Sequence, residues 1–282
     1  MRWQGGRRGG NIDDRRGMGG AGVIGGGLGT IVLAAIGYFV FGINPNTTTQ
    51  LASQFGGVGA NEQGTQGSPQ DQAGAFVDVV GTNVDDVWKT KLQGYQPPTV
   101  VIYEQGTNTG CGFGQAAMGP FYCPTDKQVY LDLSFWQQLE TQLGASSADF
   151  ARAYVIAHEY GHHVQTLMGT SQQVRQAQQR ASGESEANQY SVALELQADC
   201  YAGVWAANAA AVSNGAVALD AGDLEEGMKT ASAIGDDTLQ HRQGGRVVPE
   251  GFTHGSSAQR MEWLRRGYQS GDPATCDTFT AL

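Results

Sequence analysis

Apolar residues along this 282-residue chain follow three patterns, and each predicts a different kind of element. The first is an unbroken run over residues 21–43 that contains no charged side chain. As a helix it would span about 30 Å, the thickness of a bilayer's hydrocarbon core. A cleaved signal peptide competes with this reading, but its apolar stretch is only about 7–15 residues long, and no small-residue cleavage site follows Ile43. The run therefore predicts one uncleaved N-terminal transmembrane helix. The second pattern is short and rich in β-branched and aromatic residues, at 99–103 and 128–133, as in strands. The third is helical. Residues 150–157 hold good helix formers without Gly or Pro; Ser146, Ser147 and Asp149 offer caps before them, and Gly169 offers a stop after the segment that follows. Further helices are expected at 135–143, 186–210 and 220–234, the last of these ending at Gly235-Asp236-Asp237, and a final helix runs through Arg266. Strands first and helices after make an α+β domain, a small sheet with a helix bundle.

The flanks of the apolar run set the expected organisation. Residues 1–20 carry Arg2, Arg7, Arg8, Arg15 and Arg16 against Asp13 and Asp14, which predicts a cytoplasmic tail and places everything after Ile43 outside. Gly22 with Gly26 and Gly25 with Gly29 form small-xxx-small pairs, a weak signal because Gly is common in membrane helices. Residues 44–75 are dominated by Asn, Thr, Gln, Gly and Ser and read as a flexible tether, leaving 76–282 as the folded domain. Asn46-Thr47-Thr48 matches a glycosylation acceptor, which matters only in a host that glycosylates.

Charge and cysteines narrow the partners and the compartment. The whole chain has a formal charge of −10, and removing the arginine-rich tail leaves 12 basic against 25 acidic residues, near −13. Such a domain does not favour nucleic acid or anionic lipid surfaces. All four cysteines lie on the side expected to be oxidising, and an even count there suggests two disulfides out of three possible connectivities. Cys111 with Cys123 would close a short loop, and Cys200 with Cys276 would tie a helix to the C-terminus. A cysteine zinc site is the rival, weakened by the lack of any Cys-x-x-Cys pair.

The candidate chemistry sits at His158-Glu159-Tyr160-Gly161-His162. Two histidines four apart leave the same helix face, so both imidazoles can bind one ion, and Glu159 can act as a base on water without binding the metal. On the second helix Glu195 and Asp199 are again four apart. A hydrolytic zinc takes three protein ligands and keeps one open position, and Glu195 is the expected third. The bland alternative is an exposed polar helix face with solvated carboxylates; two matched helices make it the weaker reading. His163 points about 100° away from His162 and reads as structural or surface. His254 is a candidate donor to the oxyanion, although a lone histidine at a helix start is more often a cap or a buried polar contact. The Gly-rich segment 110–122 reads equally as a disulfide-closed loop or as an edge strand that holds substrate by strand addition.

These strings, His-Glu-Tyr-Gly-His-His-Val-Gln at 158–165, Glu-Leu-Gln-Ala-Asp-Cys-Tyr-Ala-Gly at 195–203, Gly-Asp-Asp at 235–237 and Thr-His-Gly-Ser-Ser-Ala-Gln-Arg at 253–260, resemble the neutral zinc metallopeptidase family of bacteria. Gly119-Pro120-Phe121-Tyr122-Cys123-Pro124 and the Arg/Gly-rich tail are similar as well. The resemblance implies a zincin-like fold, one Zn2+ per chain on His158, His162 and Glu195, and an Asp199 that supports a ligand histidine. The expected activity is membrane-anchored endopeptidase action on protein or peptide substrates, with Glu159 as general base. Its rivals are a non-catalytic membrane-tethered binding or assembly protein on the same scaffold, and a hydrolase of other amides such as cell-wall cross-links.

Overall fold

The computed structural model describes residues 1–17, 63–115, 119–141, 144–146, 148–242 and 244–280. The chain forms β1 (Ile12–Asp14), β2 (Thr65–Gln66), α1 (Gln72–Lys91), β3 (Thr99–Tyr103), β4 (Gly106–Thr109), β5 (Gly112–Gln115), β6 (Phe121–Cys123) and β7 (Gln128–Asp132). Helices follow: α2 (Phe135–Thr141), α3 (Asp149–Leu167), α4 (Thr170–Arg180), α5 (Glu184–Val212), α6 (Asp223–Ala233), α7 (Asp236–Arg242) and α8 (Ser257–Ser270). The α+β class follows the order read from the sequence.

The main sheet has the order β2-β1-β3-β7-β6, with β1, β3 and β7 parallel and the outer strands β2 and β6 antiparallel to their neighbours. Alternation along β3 splits its side chains between two cores. Val100 and Ile102 join Ile12, Val129 and Leu131 against the helices, while Val101 and Tyr103 pack with Tyr130 and Cys123 on the opposite face. Helix α1 was not expected. Its run of valines and its internal Gly81 weaken the helical signal, yet Asp71 caps it by accepting from the Gly74 amide, and Val77, Val80, Val84 and Trp88 are fully or almost fully buried. Tertiary burial thus overrides local propensity.

Residues 1–17, expected as a separate tail, and residues 63–75, expected as part of a tether, are built into this domain instead. β1 lies between β2 and β3, Ile12 is 2 % exposed, and the Trp3 ring meets Phe76 edge-on at 5.2 Å while its indole N–H donates to Asp149 at 2.8 Å. The five arginines pair with carboxylates of the domain: Arg2 with Asp220, Arg7 with Asp86, Arg8 with Asp78, Arg15 with Asp13, and Arg16 with both Asp14 and Asp71. Buried Asp78 also accepts from the Gly9 and Gly10 amides and from Ser68. The expected anchor 21–43, its glycine pairs, the glycosylation acceptor at Asn46 and the tether up to residue 62 lie outside the described residues. Among the described residues no helix is long and apolar enough to cross a membrane.

Several local expectations shift. The cap of α3 is Ala148, which makes no side-chain cap bond, while Ser146 accepts from the Ala148 amide. Gly235-Asp236-Asp237 does not simply end a helix; it starts α7. Helix α4, also unexpected, begins directly after the predicted stop at Gly169, whose φ of 80° breaks α3. The disulfides are Cys111–Cys123 and Cys200–Cys276, which accounts for every cysteine and removes the cysteine zinc site.

Candidate metal centre

Helices α3 and α5 bring the site together because Gly161, between the two motif histidines, allows their backbones to approach. A Cβ at Gly161 would lie 3.0 Å from the Ala198 Cα and 3.1 Å from its carbonyl oxygen. On the facing sides, ligand atoms of His158, His162 and Glu195 all lie within 4.8 Å of one another. His158 Nε2 is 3.1 Å from one Glu195 oxygen, and His162 Nε2 is 3.3 Å from the other. Each imidazole is held from behind at Nδ1, His158 by Asp199 at 2.8 Å and His162 by the Gln165 amide oxygen at 2.9 Å. With Nδ1 donating to these acceptors, Nε2 is in each ring the nitrogen left to face the Glu195 carboxylate.

Electrostatics favour a positive charge at this convergence. Burial alone would lower the His158 imidazole, but Asp199 and Glu195 outweigh it and carry it up to about 10. His162 is raised in the same way, burial opposing and Glu195 prevailing. Burial pushes Glu195 upward, yet His162 and His158 hold it well below the usual carboxylate range. A divalent cation would supply the charge that these groups seek, and two imidazoles with a carboxylate are the donors zinc takes when it keeps a coordination position open. The residues present therefore fit a zinc ion.

Behind His158 stands a buried network centred on Asp199, which is 0 % exposed. The Tyr154 hydroxyl donates to its Oδ1 at 2.6 Å, and Arg260 donates to Oδ2 through Nε at 2.9 Å and to Oδ1 through Nη2 at 3.0 Å. Burial would raise Asp199, but Arg260 and His158 bring it down to about 2. Tyr154 and Arg260 were missed as functional residues. Tyr154 lies one turn before His158 on the same face, a signal that was available; Arg260 stood only within a resembling string, without a partner.

Glu159 is buried beside the ligands, and burial raises its pKa against the opposing pull of His158 and His162. His254 lies near enough to Glu195 for their charges to interact. Its ring and loop are held by Asp236, also missed: Oδ2 accepts from the backbone amides of Thr253, His254 and Gly255 at 2.7, 2.6 and 3.0 Å, and Oδ1 is 3.2 Å from His254 Nδ1. His163 is structural rather than surface. It is 2 % exposed, donates through Nε2 to the Gln96 carbonyl at 2.7 Å and lies 3.2 Å from the Tyr122 hydroxyl. Segment 110–122 divides: β5 pairs with β4 in a separate hairpin, whereas Phe121 and Tyr122 enter the edge strand β6, tied to α3 through that contact with His163.

Comparison with known proteins points to one family. The family described as "Putative neutral zinc metallopeptidase" matches residues 1–279. The uncharacterized protein YpfJ of Escherichia coli K12 is 45 % identical over 99 % of both chains. The uncharacterized protein Rv2575 of Mycobacterium tuberculosis is 46 % identical over 71 % of this chain and 69 % of its own. No solved structure matches. A family match over nearly the whole length, on a chain whose histidines and glutamate already converge, means that this protein belongs to the neutral zinc metallopeptidase family.

Proposed function

We propose that the protein is a zinc-dependent endopeptidase whose ion is held by His158, His162 and Glu195. The observation that carries this reading is the convergence of those ligand atoms within 4.8 Å beside a buried Glu159. Zinc bound there would polarise a substrate carbonyl and lower the pKa of water towards about 7. Glu159, its proton affinity raised by burial, would take the proton from that water and hand it to the leaving amine. Asp199 keeps the His158 Nε2 available as a ligand by engaging Nδ1. His254, whose ring meets Asp236 at Nδ1, would donate to the developing oxyanion. β6, at the edge of the sheet, is the strand to which an extended peptide would add.

Two disulfides favour an oxidising compartment for the domain. Membrane association through residues 21–43 is part of the same proposal and rests on their uncharged sequence; with residues 1–17 packed on the domain, a cytoplasmic tail on the far side of a bilayer is not part of it.

Replacing Glu159→Gln should leave one zinc per chain by elemental analysis and reduce casein or peptide-library cleavage at least about 100-fold, the scale of general-base contributions. Full cleavage by that variant would remove Glu159 from the mechanism. A wild-type protein with no chelator-sensitive cleavage at all would leave the scaffold reading in its place, and cleavage confined to cell-wall peptides would redefine the substrate.

A further inference from the structure

Two backbone carbonyls dictate which nitrogen of His162 faces the metal site. The chain of contacts starts at the Cys276 carbonyl, next to the disulfide with Cys200, where Gln197 Nε2 donates at 3.0 Å. A carbonyl only accepts, so the Gln197 amide must turn its NH2 towards Cys276 and its oxygen the other way. That oxygen receives Gln165 Nε2 at 3.1 Å, and the same NH2 group donates to the Leu194 carbonyl at 2.7 Å. Both demands fix the Gln165 amide with its oxygen towards His162 Nδ1, at 2.9 Å. Nδ1 must therefore carry the hydrogen, and Nε2 is the nitrogen left to face Glu195 and offer its lone pair to a zinc ion. Gln165 is 0 % exposed, Gln197 7 % and Cys276 1 %, so water does not compete for these amides.

We propose that Gln165 and Gln197 are positioning residues that set the tautomer and orientation of His162 for zinc, with the Cys200–Cys276 disulfide holding the far end of the relay. Asp199 does the same for His158 with a full charge; the amide relay gives His162 a neutral support, so the two ligands are oriented without a second buried carboxylate behind them. The disulfide lies far in sequence from the histidine motif, yet it holds the C-terminal segment whose carbonyl starts the relay. The inference rests on the zinc reading above.

The test is zinc affinity by competition with a chromogenic chelator, alongside the thermal midpoint of the zinc-free protein, neither of which needs a substrate. Gln165→Leu should weaken zinc binding about 10–100-fold, the usual cost of losing a partner behind a ligand. Gln165→Glu restores an acceptor for Nδ1–H while spoiling the contact with Leu194, so it should lower the midpoint yet keep zinc affinity within a few-fold of wild type. If the Glu variant loses as much affinity as the Leu variant, packing rather than hydrogen bonding is at work and the relay is wrong. Should Gln165→Leu not fold, Gln197→Leu takes its place: Leu194 still holds Gln165, a several-fold loss is expected, and an unchanged affinity overturns the proposal. A wild-type protein that binds no zinc overturns the metallopeptidase reading together with the relay, whereas normal wild-type binding with indifferent variants overturns the relay alone.

Discussion

Arg260 is 3 % exposed and gives two hydrogen bonds to Asp199, so the two charges stand or fall together. Arg260→Met should destabilise the zinc-free protein by about 3–5 kcal/mol in urea, because it leaves a buried carboxylate without its cation. The sign with pH is equally defined. Asp199 is depressed to about 2 in the folded state, so its contribution is present above its unfolded value near 4 and is lost as pH falls from there towards 2. In Arg260→Met that contribution shrinks, and the acid unfolding midpoint should move to higher pH; an unmoved midpoint would mean that Tyr154 and His158 suffice. The trio His158, His162 and Glu195 was legible in the sequence because helical periodicity converts a spacing of four into a shared face. Among their supports Asp199 was legible too, but Arg260, which reaches it from α8, and Gln197, which reaches Gln165 across from α5, were not, since nothing in local spacing announces a long-range hydrogen bond.

Among the elements, α1 illustrates both what was hidden and what it costs. Its buried Asp85 is raised to about 7, chiefly by burial, while the Tyr95 hydroxyl donating at 2.8 Å opposes the shift. Folding therefore favours the protonated acid: this contribution to stability is complete below about 4 and fades as pH rises through about 7. Asp85→Asn keeps an acceptor for Tyr95 and should raise stability at pH 8 by about 2–4 kcal/mol, with the gap narrowing at pH 5. Thermal melts at both pH values check this, and equal gaps would show that ionisation is not the cause. The crossing of α5 and α8 has a different logic, visible only in three dimensions. A Cβ on Gly267 would fall 1.9 Å from the Cys200 carbonyl oxygen, so glycine here sets how closely the helix bearing Asp199 and the helix bearing Arg260 can meet. Strands β3 and β7 and helices α3, α5, α6 and α8 were foreseen to within a few residues. α1 and α4 were missed because valines and glutamines obscure an apolar period that only burial reveals.

At the scale of the whole molecule, β1 belongs to the sheet as fully as β3 does. Trp3 and Ile12 are buried, and full burial of one large apolar side chain contributes about 1.5–3 kcal/mol. A fragment comprising residues 63–282 should therefore fold poorly alone and regain its far-UV signal and cooperative melt when a synthetic peptide of residues 1–17 is added. A fragment that folds unaided to the same midpoint would make the N-terminal strand an accessory. Five arginines before an apolar run look like an orienting signal, and the fold shows that each has an acidic partner, Asp13 and Asp14 of the same segment among them.

The pairing of Asp14 with Thr65 has a wider effect. The chain departs after residue 17 and is back beside its point of departure by residue 63, like a cord drawn tight at the neck of a purse. Residues 17 and 63 thus open on one edge of the sheet, and drawing them apart would pull β1 out from between its neighbours. The amino terminus and the histidine cluster are thereby carried in one folded body.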